Sequence, residues 1–222
     1  MIINTGHRTD IPAFYPQWFA NRLKEGYKMH SDKDLEWELT SCEHIVEDEY
    51  IDFRKCAYKL PDGTIFEPFY NYSRRDYVVI VATDEDGKYI CVKQFRHGIN
   101  KVTVEFCAGG LERLDGKEYG SCNDPAQVEA ALDAAKRELL EETGYESDDW
   151  KYIFRVPSNA TMADNYANIY VAKNCRKVAG QNLDDTEFLN VHLYTRQEVD
   201  DLIKSGDFPQ MSHILALLLS EK

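Results

Sequence analysis

Residues 134–145, AAKRELLEETGY, place Glu138, Glu141 and Glu142 within five positions, just before Gly144. Leu132, Ala135 and Leu139 recur at spacings of three and four, which predicts a helix whose apolar face packs on a sheet. Gly144 is the residue type expected just past a helix end. The glutamates therefore sit at the pole that disfavours them, because aligned backbone dipoles leave partial negative charge at a helix C-terminus. They also repel one another across one turn. By the 100° step per residue, Glu138 and Glu142 share one flank of the apolar stripe and Glu141 points further outward. A solvated acidic face is the plain explanation of such a cluster, and a bound cation is the functional one.

Strand-like segments surround this helix. The run ELTSCEHIVEDEYIDFRKCAYKLPDGTIFEPFYNY, starting at Glu38, alternates aromatic and β-branched residues with polar ones about a turn at Pro61–Gly63, and reads as an antiparallel meander. Strands follow at 77–83 and 88–95 around the turn Asp84–Gly87, and at 102–106, running into a glycine-bearing loop, CAGGLE. The helix is expected to start at Asp124, an N-cap residue, with Pro125 in its first turn. Strands near 150–156, 166–172 and 188–194 and helices near 196–205 and 209–220 complete the chain. The mixed order predicts an α+β sandwich.

Composition narrows the function. The 222 residues are 43% hydrophobic and carry a net charge of −13, enough to bury a full core and too acidic for a general nucleic-acid or anionic-membrane binder. A phosphate site in such a chain must create positive charge locally. Cys42, Cys56, Cys91, Cys107, Cys122 and Cys175 form no CxxC pair and read as reduced, buried thiols. The start, MIINTGHRTD, has no signal-peptide pattern and no apolar run approaches a membrane span, so a cytoplasmic location is expected.

RELLEETGY resembles the core of the Nudix box, the pattern of the Nudix hydrolase family. Arg137, Glu138, Leu139, Glu141, Glu142 and Gly144 match in register, and Glu129 stands at the spacing the box expects for its early glutamate. AGGLE, preceding the helix, is similar to the family's loop, and the layout of residues 39–220 resembles the ADP-ribose pyrophosphatase branch. The first glycine of the box is replaced by Asn123. If Gly110 takes its place, 18 residues precede Glu129, so the loop carries an insertion, and either Glu129 or Glu118 fills the early acidic position.

The resemblance implies a Nudix fold, an α/β/α sandwich with a mixed sheet preceded by the antiparallel meander. It divides the chain into an extension at 1–30, a β region at 31–75 that mediates homodimerisation, and a hydrolase domain at 76–222. It implies Mg²⁺, with Mn²⁺ as substitute, held by Glu138, Glu142, Glu141 and the carbonyl of Ala108, consistent with a hard cation's preference for oxygen ligands. Arg137, four residues before Glu141, is placed to orient it. By the same resemblance Glu187 in NLDDTEFLNVHLY is the general base, with Asp185 as the neighbouring alternative, and Arg96 in VKQFRHG contacts phosphates. Glu105 faces the site, and Trp37 either stacks on a base or belongs to a core or interface. His97, His192 and His213 show no ligand spacing.

The expected reaction is hydrolysis of the diphosphate in a small-molecule nucleoside diphosphate derivative. The branch carries a proline about fifteen residues after the box, where this chain has Ala160, with Pro157 three residues earlier. ADP-ribose and other nucleoside diphosphate sugars both stay open. A non-hydrolytic nucleotide-binding module that regulates a partner is the rival from another class, and a purely structural acidic helix is a third. Residues 1–30 resemble the opening of an uncharacterised bacterial domain family.

Overall fold

The computed structural model describes residues 30–48, 50–114 and 128–222. The expected strand and helix of the first thirty residues, Glu118, Cys122 and the expected helix start at Asp124 lie outside them.

Three long strands, β1 (Glu38–Glu47), β2 (Asp52–Lys59) and β3 (Ile65–Ser73), form an antiparallel sheet in the order β1-β2-β3. Trp37 makes T-shaped contacts with Tyr58 and Phe66 on it, with ring centroids 6.3 and 6.0 Å apart. Cys42 stands opposite Cys56 in the β1–β2 register, and the two are joined as a disulfide. That corrects the expectation of reduced thiols for this pair: spacing in sequence does not reveal which cysteines an antiparallel register brings face to face. Cys91, Cys107 and Cys175 are free and buried.

The second sheet holds β4 (Tyr77–Asp84), β5 (Tyr89–Arg96), β6 (Lys101–Gly110), β7 (Tyr145–Glu146), β8 (Asp149–Pro157), β9 (Tyr166–Lys177) and β10 (Leu189–Tyr194). Its order is β10-β5-β6-β4-β9-β7, with β8 paired to β9. The β4–β9 pair is parallel and the others are antiparallel, so the sheet is mixed. Helix α1 (Ala131–Thr143) covers one face, where Ala135 and Leu139 pack with Val78, Ile80 and Cys107. Helices α2 (Arg196–Ser205) and α3 (Met211–Ser220) cover the other, where Val199 and Leu217 pack with Val79, Phe106 and Phe208. β4 is buried on both faces, which is why YVVIVA is a continuous apolar run rather than an alternating one. At about 1.5–3 kcal/mol per fully buried large apolar side chain, these two clusters dominate the stability.

Two boundaries differ from expectation. CAGG is not a loop: β6 continues to Gly110, with Gly109 opposite Val78 and Gly110 opposite Tyr77 on β4. Helix α1 begins at Ala131, because residues 128–130 are extended. Val128 bridges Arg113, the Glu129 N–H donates to the Glu112 carbonyl at 2.9 Å, and the Glu112 N–H donates back to Glu129 Oε1 at 2.7 Å. Backbone committed to this pairing cannot join a helical turn. At the far end, Gly144 takes a left-handed conformation (φ 70°) and its N–H donates to the Leu140 carbonyl at 2.7 Å. A side chain there would also collide with the Ala179 carbonyl, 2.2 Å from the added carbon.

Candidate active site

The end of β6 and the C-terminal half of α1 meet at one place. Glu138 and Glu142, one turn apart, turn inward and are only 8% and 3% exposed. The Glu138 carboxyl occupies the space beside Gly109 where any other residue would carry its Cβ, which would lie 1.9 Å from Glu138 Cδ. A glycine in mid-strand weakens the strand, and here it admits a carboxylate to the sheet surface. Glu142 Oε2 accepts the Ala108 N–H at 3.3 Å, and the Cys107 thiol bonds to the same carboxylate. Glu141 is half-exposed.

Arg137 binds this region together. Its Nη1 donates to Glu138 Oε1 at 2.9 Å and to Glu141 Oε2 at 3.0 Å, and its Nη2 donates to Glu129 Oε1 at 2.7 Å and to the Gly110 carbonyl at 3.2 Å. One guanidinium thus ties α1 to the last residue of β6 and to the segment before the helix, a use suited to its rigid fork of donors. Its hydrogen-bonded carboxylates are Glu129, Glu138 and Glu141, with Glu112 a looser ion-pair partner at 3.9 Å.

Burial pushes the Glu138 carboxyl up to about 7, with Arg137 opposing and Glu141 and Glu187 adding repulsion. Burial pushes Glu142 up to about 8, with Glu138 and Glu187 adding repulsion against the bonds from Cys107 and Ala108. Glu187 is therefore within electrostatic reach of both. It sits half-buried before β10, accepting the Asp184 N–H on Oε2 at 3.0 Å, whereas Asp185 is exposed.

Among the described residues no three His, Cys, Asp or Glu side chains gather tightly enough to hold a metal ion by themselves. The donor set nonetheless fits a hard divalent cation. Such an ion takes one or two carboxylates and fills its remaining positions with water and phosphate oxygens. Two buried, mutually repelling carboxylates beside Gly109 offer donors of that kind.

On the other side of Ala108, Gly109 and Gly110 lies a cavity of about 710 Å³. Arg74, Arg75 and Arg96 line it, with Tyr72, Tyr77 and Asn165 among the other walls. Among the described residues three arginines and no acidic side chain line this cavity, in a chain of net charge −13, so positive charge is concentrated here. Arg96 Nη2 lies 2.6 Å from Oε1 of Glu105, which is wholly buried. His213, also in the cavity wall, accepts the Phe106 N–H at Nδ1 (3.1 Å), and burial pushes its pKa down to about 3. It is a neutral packing histidine.

The structure thus brings Ala108, Arg137, Glu138, Glu141, Glu142 and Glu187 into one neighbourhood, and lines the adjoining cavity with Arg96, which Glu105 contacts from its buried position. Trp37 is not part of it: within the chain it stays in the aromatic cluster of the first sheet and does not line the cavity. Sequence reasoning missed Arg74, Arg75, Tyr72 and Asn165. The pair RR at 74–75, following an aromatic strand in so acidic a chain, was the available signal.

A family model described as NUDIX domain matches residues 73–217, and one described as a domain of unknown function (DUF1848) matches residues 2–49. An ADP-ribose pyrophosphatase of Bacillus subtilis is 28% identical over 182 residues, covering 79% of this chain and 87% of the relative. A methanol dehydrogenase activator of Bacillus methanolicus is 31% identical over 141 residues, covering 63% and 69%. A crystal structure of an ADP compounds hydrolase superposes with a TM-score of 0.65 at 19% identity, covering 84% of this chain and 94% of its own.

Proposed function

Because the chain belongs to the NUDIX domain family and is a Nudix hydrolase, we propose that it cleaves the diphosphate linkage of a nucleoside diphosphate sugar, with ADP-ribose the first candidate. The observation that carries this reading is the adjacency of two unlike halves: buried carboxylates on α1 and an arginine-lined cavity, separated only by the Ala108–Gly110 strand end. A diphosphate across that boundary presents oxygens to both.

Mg²⁺, or Mn²⁺ in its place, would be held by Glu138, Glu141, Glu142 and the Ala108 carbonyl, and supplies neutralising charge as negative charge builds on the phosphates. Arg137 keeps Glu138 and Glu141 oriented through its two short bonds. Arg74 and Arg96 meet phosphate oxygens by charge-assisted hydrogen bonds. Glu187 takes the proton from the attacking water, a role for which its closeness to Glu138 and Glu142 speaks. The bond between phosphorus and the bridging oxygen breaks, leaving two monophosphates.

A homodimer goes with this reading. All ten residues of β1 are exposed, although the strand is apolar at Leu39, Ile45 and Val46, and among the described strands β1 is an edge. Such an edge invites pairing with a second copy. The substrate is a small molecule, with neither nucleic acid nor membrane involved, and no described helix is long and apolar enough to cross a membrane. A cytoplasmic home is part of the proposal.

The methanol dehydrogenase activator among the relatives supports a second reading, a regulator of a partner enzyme. Incubating the purified protein with a panel of nucleoside diphosphate derivatives and Mg²⁺, with products identified by mass, tests both. Turnover of one member supports the hydrolase; binding of a member without turnover supports the regulator.

A further inference from the structure

Glu105 is a fully buried carboxylate in the middle of β6. Neither of its oxygens receives a well-directed hydrogen bond among the described residues, and the one cation in contact is Arg96, 2.6 Å from Oε1. A buried charge survives only when it is paired. Arg96 is less constrained: its side chain is 35% exposed, it lines the cavity, and its Nε is buried without an acceptor among the described residues. Across the cavity wall His213 is committed to the Phe106 N–H and offers Arg96 no competing anion. The pair is therefore asymmetric. Among the described residues Glu105 contacts no cation except Arg96, while Arg96 has donors left over and faces a cavity that no described acid lines.

We propose that Glu105 is a positioning residue, which anchors one edge of the Arg96 guanidinium so that its remaining donors are aimed at a phosphate group of a nucleoside diphosphate. The inference rests on the diphosphate reading of the cavity. It assigns Glu105 no contact with the substrate: an arginine swinging freely would pay orientational entropy on each binding event, and the buried carboxylate removes that cost in advance. The Glu105 carboxylate is wholly buried and does not line the cavity, so its part is played through Arg96.

Glu105→Gln, Arg96→Gln and the double variant test this, with KM, kcat, melting temperature and calorimetric binding of ADP as readouts. Glu105→Gln raises KM and the ADP Kd about tenfold with kcat little changed, the pattern of lost uniform binding. In the Arg96→Gln background the same substitution has no further effect on KM or ADP binding, because Glu105 acts through Arg96. Arg96→Gln alone lowers the melting temperature more than the double variant does, since it strands a buried carboxylate.

Unchanged KM and ADP binding in Glu105→Gln overturns the proposal, as does an effect that multiplies with that of Arg96→Gln. Should Glu105→Gln fail to fold alone, the comparison of Arg96→Gln with the double variant decides. Equal ADP affinity with a higher melting temperature in the double supports the assignment, and any other pairing overturns it. A wild-type chain that neither binds ADP nor turns over any nucleoside diphosphate derivative removes the functional reading, and this inference with it; a wild-type chain that turns one over while Glu105→Gln matches it removes this inference alone.

Discussion

Glu142→Gln separates the cost of the carboxylate cluster from its use. A carboxyl whose pKa is moved from 4.5 to about 8 by burial costs about 5 kcal/mol when fully ionised, at 1.36 kcal/mol per pH unit, and on the order of 4 kcal/mol at pH 8, where it is half-ionised. The sign follows from proton counting: between these values the folded state binds more protons than the unfolded one, so stability present below pH 4.5 is lost as pH rises toward 8. Glutamine removes that loss and can still accept the Ala108 N–H, but it buries an amide donor that Glu142 did not have, at about 1–3 kcal/mol. The net expectation without metal is a gain of roughly 2 kcal/mol at pH 8, or some 4–8 °C in melting temperature for a domain of this size. At pH 5, where Glu142 is protonated in the folded protein, the gain vanishes or reverses. Calorimetric melting of both proteins in chelator at the two pH values, with turnover measured alongside, is the assay. A variant less stable than wild type at pH 8, or one retaining full Mg²⁺-dependent turnover, would refute the reasoning.

Other outcomes follow from the same geometry. Gly109→Ala puts a methyl 1.9 Å from Glu138 Cδ and forces the carboxylate away, so turnover falls by about 10²-fold or more while the circular dichroism spectrum holds; an active variant shows that Glu138 need not sit there. Glu187→Gln lowers kcat by about 10²–10⁴-fold with the Mg²⁺ requirement unchanged, and Asp185→Asn is near wild type; the reverse pattern moves the base by two residues. Analytical ultracentrifugation at micromolar concentration gives the mass of a dimer, and a monomer there would leave the exposed β1 edge unexplained.

The central helix was readable because three independent signals coincide in RELLEETGY: an apolar stripe, a terminal glycine and charge at the wrong pole. The strands of the main sheet were legible from apolar runs such as YVVIVA. What escaped depends on contacts distant in sequence. CAGG read as a loop because glycine disfavours strands, whereas Gly109 is in a strand because Glu138, 29 positions away by number, needs the space. Asp124 and Pro125 have good helix-start chemistry, yet the backbone at 128–130 is claimed by Glu112 and Arg113. The Cys42–Cys56 pairing follows from a β register that local pattern leaves open. Arg74 and Arg75 become meaningful only once β3 and β4 bring their linker to the mouth of the cavity. Trp37 is conspicuous by type and was weighed for that reason, while its surroundings in the chain are an aromatic cluster.

The most direct measurement is hydrolysis of ADP-ribose and its nucleoside diphosphate sugar relatives in ¹⁸O-water, with and without Mg²⁺, followed by mass analysis of the products. The account predicts two monophosphates, one of them carrying a single heavy oxygen, formed by the wild-type protein only when the cation is present and not formed by Glu142→Gln. Binding of these compounds without cleavage, or cleavage that proceeds undiminished in Glu142→Gln, would contradict it.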